Sequence, residues 1–160
     1  MQSWEPFLLA QVGASAALTG LVFVALSINL GRIIEHRYLV GRAGEAVVLL
    51  VLPVIVGLIL LVPTTNRHLT AGLVLGVATG GFVVVTRLVI SGWEAARTRP
   101  TWEVRARIGL AEIAAVPAVT GAAMLLFDIR AGTGVIALGA VVSIGVGIFD
   151  AWILLVEILR

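Results

Sequence analysis

A few polar side chains lie within or at the ends of long apolar runs, where charge is costly to bury. They are Arg87, Glu112, Asp150, Glu45 and Asn29. Ionisable groups inside a membrane usually face other protein groups and pair with them. We expect Arg87 to pair with Asp150 or Glu112 near one membrane boundary. A carboxyl group left without a partner could bind a proton or a cation. The simpler alternative is one structural ion pair, with the remaining groups reaching the lipid headgroups.

A second polar set consists of hydroxyl groups in four different apolar runs. Its members are Thr19, Thr79, Thr120 and Ser143. Each lies roughly 15–18 Å along its run at 1.5 Å per helical residue, which corresponds to the middle of a bilayer. One interpretation is a polar layer that lines a path for an ion. The alternative is that each hydroxyl bonds a carbonyl of its own helix or of a neighbouring helix.

Other reactive chemistry is scarce in this sequence. The chain contains no cysteine, which excludes disulfides, thiolate catalysis and Cys-ligated metal. Its two histidines, His36 and His68, lie in loops that we place on opposite sides of the membrane, so they cannot share a metal site within one protomer. Two acidic residues, Glu112 and Asp150, without a nucleophile define no reaction. We therefore predict a protein that is not an enzyme and that has no cofactor or metal.

The elements that position these residues are five apolar segments in a chain that is 60% hydrophobic and 12% charged. We predict spans at about residues 7–30, 43–62, 69–92, 108–127 and 132–159. Each run is long enough to cross roughly 30 Å of hydrocarbon as a helix. The sequence thus predicts an all-α integral membrane bundle forming a single domain, 1–160. The fourth run contains Glu112 and Pro117, so four spans plus one re-entrant or interfacial helix is the alternative.

The arginines set the expected orientation. All eleven basic residues are arginine; eight fall on one predicted side, two on the other, and Arg87 lies within the third run. Positively charged loops stay in the cytoplasm, so we expect an outside N-terminus and a cytoplasmic C-terminus in the plasma membrane. These arginines lie in short loops and form no soluble basic face. We therefore expect no nucleic-acid partner.

Small residues recur every fourth position in several runs. The third run contains Gly72, Gly76 and Gly80, and the fifth contains Gly139, Ser143 and Gly147. Such rows lie on one helix face and let helix backbones approach closely in a membrane. They either seal the protomer's own bundle or face a neighbouring subunit. The sequence therefore favours contact with the lipid bilayer and with a second copy or a larger membrane complex.

Two prolines interrupt the predicted helices. Pro53 lies in the second run and Pro117 in the fourth. A proline inside a helix removes one backbone donor and frees the carbonyl four residues earlier, here those of Leu49 and Ile113. Broken helices can build transport sites in membrane proteins, although kinks without such a role are common.

Residues 13–30 (GASAALTGLVFVALSINL) resemble the first helix of small uncharacterised membrane proteins of actinobacteria, and residues 41–45 (GRAGE) are similar to the start of their second helix. The resemblance covers about the first third of the chain. It implies a bacterial plasma-membrane protein. Some members of that family carry a transferred label as modulators of the FtsH membrane protease, and no motif in this sequence tests that label.

Three hypotheses follow for function. The first is a structural or regulatory membrane subunit that acts through helix–helix contacts. The second is an ion or proton channel or transporter, with a hydroxyl-lined midplane and carboxylates near the inner leaflet. The third is modulation of an FtsH-type protease. Dry burial of the polar groups would favour the first, whereas a continuous hydrated cavity would favour the second.

Overall fold

The computed structural model describes residues 4–63, 66–95 and 101–158, with the backbone alone for residues 92–95, 101–105 and 158. The described residues form helices and connecting turns without a strand. The helices are α1 (Glu5–Ile28), α2 (Leu30–Glu35), α3 (Arg37–Leu61), α4 (Arg67–Ala95), α5 (Thr101–Leu126) and α6 (Gly132–Ile158). The predicted all-α fold is confirmed.

Five of these helices, all but the short α2, are long and apolar enough to cross a membrane. This pattern is typical of a multi-pass membrane protein. The fourth apolar run forms an unbroken helix, within which residues 106–126 have the length and composition of a span despite Glu112 and Pro117. The alternative with only four candidate spans is therefore not supported.

The helix boundaries differ from the predicted ones chiefly where charges are buried. The second helix begins at Arg37 rather than near residue 43, and the fourth begins at Thr101 rather than near residue 108. Hydropathy alone ends a span at its first arginine, whereas a paired arginine can continue inside the helix. Residues 96–100, in the predicted loop between the third and fourth runs, lie outside the described residues.

Helix α3 lies at the centre of the arrangement. It packs against α1, α4 and α6, while α5 packs against α4 and α6. Helices α3, α4, α5 and α6 thus form a closed ring of four, and α1 packs on its outside against α3 and α6. Short connections between α3 and α4 and between α5 and α6 make each of these pairs an antiparallel hairpin.

The ring is filled by aliphatic side chains. One cluster joins Leu49 of α3 to Val85 of α4 and Ala114 of α5, and a second joins Val56 of α3 to Ile136 of α6. Small side chains on α5 let the helices come close together. These contacts bring the ends of α3, α5 and α6 together at one end of the bundle, and the two tight turns at the other.

Candidate functional site

The most distinctive polar feature is a cluster of charged side chains at the end of the bundle where α3 begins. Three helices contribute to it. The charge cluster consists of Tyr38, Arg42 and Glu45 from α3, Arg107 from α5, and Asp150 and Glu157 from α6. The α3 members are spaced by four and then three residues, so one helix face presents all three.

Arg42 is the centre of the charge cluster and is almost fully buried, at 3% exposure. Its Nη2 lies 3.3 Å from Oδ1 of Asp150, and its Nη1 donates to Oε2 of Glu157 at 3.1 Å. Nη1 also donates to the Tyr38 hydroxyl at 3.2 Å. One guanidinium therefore binds α6 at two positions that lie two helical turns apart.

A second ion pair joins α3 to α5. Arg107 donates a hydrogen bond to Glu45, whose side chain is buried. The Tyr38 ring centroid lies 5.4 Å from the Arg107 guanidinium carbon and 5.8 Å from that of Arg42. A cation near an aromatic ring is attracted by the ring quadrupole. Tyr38 therefore links the two ion pairs into one network.

The two buried carboxylates, Glu45 and Asp150, thus each have an arginine partner. In low dielectric, an unpaired charge is far more costly than a pair. The arrangement fixes α3, α5 and α6 relative to one another. Within the part of the chain that the structure describes, no group of three or more acidic or histidine side chains is placed to hold a metal ion.

The predicted pairing of Arg87 with Asp150 is wrong, because Arg42 binds Asp150 instead. Arg87 lies on the outward face of α4, and Glu112 is also exposed, on α5. No ion pair joins these two among the described residues. Asn29 ends α1, and its amide donates to the Ala25 carbonyl at 2.9 Å, within its own helix region.

Sequence reasoning found Glu45 and Asp150 but missed their partners. Arg42 and Arg107 lie next to apolar runs, where the sequence pattern indicates only an effect on topology. Two features of the sequence could have identified them. Arg42 and Glu45 share one helix face at a spacing of three residues, and extending the second and fourth runs backwards by one turn brings both arginines inside a span.

The four hydroxyls do not form a common layer. Thr19 donates to the Ser15 carbonyl at 2.7 Å and Thr120 to the Val116 carbonyl at 3.0 Å, each four residues back in its own helix. Thr79 and Thr120 are exposed on the outside of the bundle. This is the local bonding that was the alternative to a polar path.

Ser143 has a different role, since it is buried and bonds across helices. Its hydroxyl donates to the Leu49 carbonyl at 2.7 Å. Leu49 is the residue whose carbonyl Pro53 leaves without a helical donor. Two side chains of α1 bond the same region of α3: Ser15 donates to the Leu50 carbonyl at 2.6 Å, and Gln11 donates to the Pro53 carbonyl at 3.0 Å.

The surroundings of Pro53 are tightly packed. The space between Pro53, Ser143 and Gly139 has a volume of about 10 Å³. A buried water needs roughly 10–15 Å³ on this measure, so the space has room for one water at most. The helix contact around Pro53 therefore leaves no room for a continuous chain of water.

The two small-residue rows face opposite ways. A Cβ added to Gly139 would lie 3.0 Å from Cβ of Pro117, and one added to Gly147 would lie 2.9 Å from Cγ of Leu50. That row packs inside the bundle together with Ser143. In contrast, a Cβ added to Gly72, Gly76 or Gly80 would meet nothing within 4 Å.

The fold and composition together define a polytopic α-helical membrane protein of five candidate spans. Comparison with known proteins adds no narrower class. The chain matches no protein-family model, and neither the curated proteins nor the solved structures include a significant match to it.

Proposed function

We propose that this protein is a non-enzymatic subunit of the plasma membrane that works by pairing with a second copy of itself through α4. The observation that carries the proposal is the outward row of Gly72, Gly76 and Gly80. The N-terminus lies outside the cell and the C-terminus lies in the cytoplasm. A larger membrane complex is the alternative partner.

Helix α4 has two distinct faces. Its inward face buries Val74, Ala78 and Val85 against the bundle. The glycine row lies on the opposite face and is exposed along about two turns. Within a bilayer, a flat glycine face lets a second helix approach closely, and van der Waals packing and weak polar contacts then favour association.

The polar interior supports a packing role rather than a conducting one. Buried carboxylates are paired with arginines, and three of the four hydroxyls bond helix carbonyls, two within their own helix and that of Ser143 across to α3. A conducting path needs polar groups that line hydrated space. In this function the charge cluster holds α3, α5 and α6 together, while α4 contacts the partner.

Cysteine cross-linking tests the α4 contact directly, because the chain contains no native cysteine. In a two-fold dimer, position 76 of one copy meets position 76 of the other. We expect Gly76→Cys to form a covalent dimer in membranes on mild oxidation. Gly76→Leu should weaken association of the unlinked protein, since the side chain fills the space that the partner helix needs.

Gly145 provides the matched control. It is also a helical glycine with open space around it, but no small residue lies four positions away on either side. Gly145→Cys should not cross-link, and Gly145→Leu should leave association unchanged. Equal cross-linking at positions 76 and 145, or no dimer at either position, would overturn the proposal.

Ion flux separates this proposal from the channel or transporter hypothesis. The purified protein in liposomes should pass neither protons nor monovalent cations above the background of empty liposomes. Flux that falls on changing Asp150→Asn or Glu112→Gln would instead establish a pathway. Modulation of an FtsH-type protease rests on the resemblance alone and stays a prediction, as does the absence of catalysis and of a cofactor.

A further inference from the structure

A pocket lies at the end of the bundle opposite the charge cluster, beside the start of α1, the end of α3 and the turn between α5 and α6. Its volume is about 620 Å³. Ligand pockets in proteins usually have volumes of roughly 300–1,000 Å³. We propose that this pocket binds the head of an amphiphile that carries both a phosphate and an ammonium group, with the apolar part of the ligand against the pocket floor.

The floor of the pocket is apolar. Leu8 of α1, Leu60 of α3 and Leu125 of α5 line it. Leu8 is buried within the protein. These side chains belong to three helices, so the apolar part of a ligand would lie among α1, α3 and α5. An acyl chain can therefore lie against the floor while its headgroup stays at the rim.

The rim of the pocket carries charges of both signs. Arg67 and Arg130 supply two cations, and Glu5 and Asp128 supply two anions, of which Asp128 Oδ2 lies 4.0 Å from Nε2 of His68. No ion pair within the described part of the chain occupies either arginine. Guanidinium groups bind phosphate through parallel hydrogen bonds, whereas carboxylates accept hydrogen bonds from a primary ammonium. A head with both charges complements this rim better than a purely anionic head does.

The helix directions favour the phosphate as well. Helices α1, α4 and α6 all begin at the pocket, with Glu5, Arg67 and Thr133 in their first turns. The N-terminal end of a helix carries the positive end of its dipole. The C-terminal ends of α3 and α5 also lie at the pocket, so three positive helix ends face two negative ones, and the two arginines supply the main attraction for an anion.

The turn that carries Asp128 and Arg130 has a defined geometry. Asp128 adopts a left-handed conformation, with φ of 57°, two residues after the end of α5. Its N–H donates to the Leu125 carbonyl at 3.2 Å, and the Ile129 N–H donates to the Met124 carbonyl at 2.9 Å. This bonding is that of a Schellman cap, which fixes the backbone after a helix. The backbone at Asp128 is therefore held in place before any ligand binds.

Lipid titration of the full-length protein, in a non-ionic detergent and followed by native mass spectrometry, tests the proposal. The probes are three phospholipids. Phosphatidylethanolamine carries a phosphate and a primary ammonium, phosphatidylglycerol has no amine, and the quaternary ammonium of phosphatidylcholine has no N–H to donate. We expect phosphatidylethanolamine to bind most tightly. The double change Arg67→Gln and Arg130→Gln should weaken its binding about tenfold or more, as expected for loss of charge-assisted hydrogen bonds.

Substitutions of the two rim carboxylates and of an arginine outside the pocket complete the set of variants. Changing Glu5→Gln together with Asp128→Asn should abolish the preference for phosphatidylethanolamine over phosphatidylglycerol. Arg87→Gln, an exposed arginine near the other end of α4, should leave binding unchanged. Equal binding of the three lipids, or binding that ignores the rim arginines, would overturn the proposal. Glycerophosphoethanolamine lacks acyl chains, and its competition at equal concentration would overturn the assignment to an amphiphile.

Discussion

At the scale of single residues, the charge cluster is where a substitution should change the free energy of unfolding most. Arg42 is buried and bonds Tyr38, Asp150 and Glu157. Removing one partner of a buried ion pair usually costs more than the pair itself contributes, because the remaining charge is left in low dielectric. Substitutions in the cluster should therefore reveal its structural role through stability.

We expect Arg42→Gln to destabilise the protein by about 3–5 kcal/mol, since Asp150 would lose its guanidinium in a buried site. Arg87→Gln is the control, because Arg87 is exposed and should contribute within about 0.5 kcal/mol. Reversible unfolding in mixed micelles measures both changes. Similar effects of the two substitutions would show that the cluster does not hold the helices together.

At the scale of elements, helix α3 depends on its neighbours for some of its backbone hydrogen bonds around Pro53. Pro53 cannot donate to the Leu49 carbonyl, and the Ser143 hydroxyl of α6 takes the place of the missing donor. Hydrogen bonds between membrane helices contribute modestly, about 0.6 kcal/mol on average and up to about 1.7 kcal/mol. At Pro53, α6 therefore supplies the hydrogen-bond donor that α3 lacks.

A double-mutant cycle tests whether the Ser143 hydroxyl replaces the donor that Pro53 lacks. Ser143→Ala should cost about 1–2 kcal/mol in the native protein, because the Leu49 carbonyl would lose its donor. In a Pro53→Ala background the helix can supply its own N–H, so the same change should cost markedly less. Thr120→Ala is the control, since Thr120 is exposed and bonds within its own helix. Additive effects of positions 53 and 143 would contradict the assignment.

At the scale of the whole molecule, the two ends of the bundle differ in kind. One end holds buried ion pairs between α3, α5 and α6, and the other holds an open pocket with charges at its rim. The two histidines lie at opposite ends as well, with His36 just before α3 and His68 in the first turn of α4. Both side chains are exposed, which makes them suitable markers of orientation.

We expect His68→Cys to react with a membrane-impermeant maleimide in intact cells, and His36→Cys to react only after the membrane is opened. The reason is the excess of arginines in the loops on the His36 side. The cysteine-free parent protein gives the background of the measurement. Labelling of position 36 in intact cells, with position 68 protected, would reverse the proposed orientation.

The number and kind of helices follow from the sequence alone. Runs of 20 or more apolar residues have one stable solution in hydrocarbon, where a helix satisfies its own backbone. Its proline positions also identified Leu49 as a carbonyl in need of a donor, because that consequence is local. The sequence pattern could not identify the side chain that donates to this carbonyl.

Which polar groups form ion pairs depends on the tertiary structure. Ion pairing depends on how each helix is rotated, and the apolar runs are hydrophobic on every side, so periodicity carries little information on rotation. Arg87 was therefore paired on depth alone, whereas packing turned it outward and brought Arg42 to Asp150. The same rotation buried the Gly139 row and exposed the Gly72 row, although both show the same spacing.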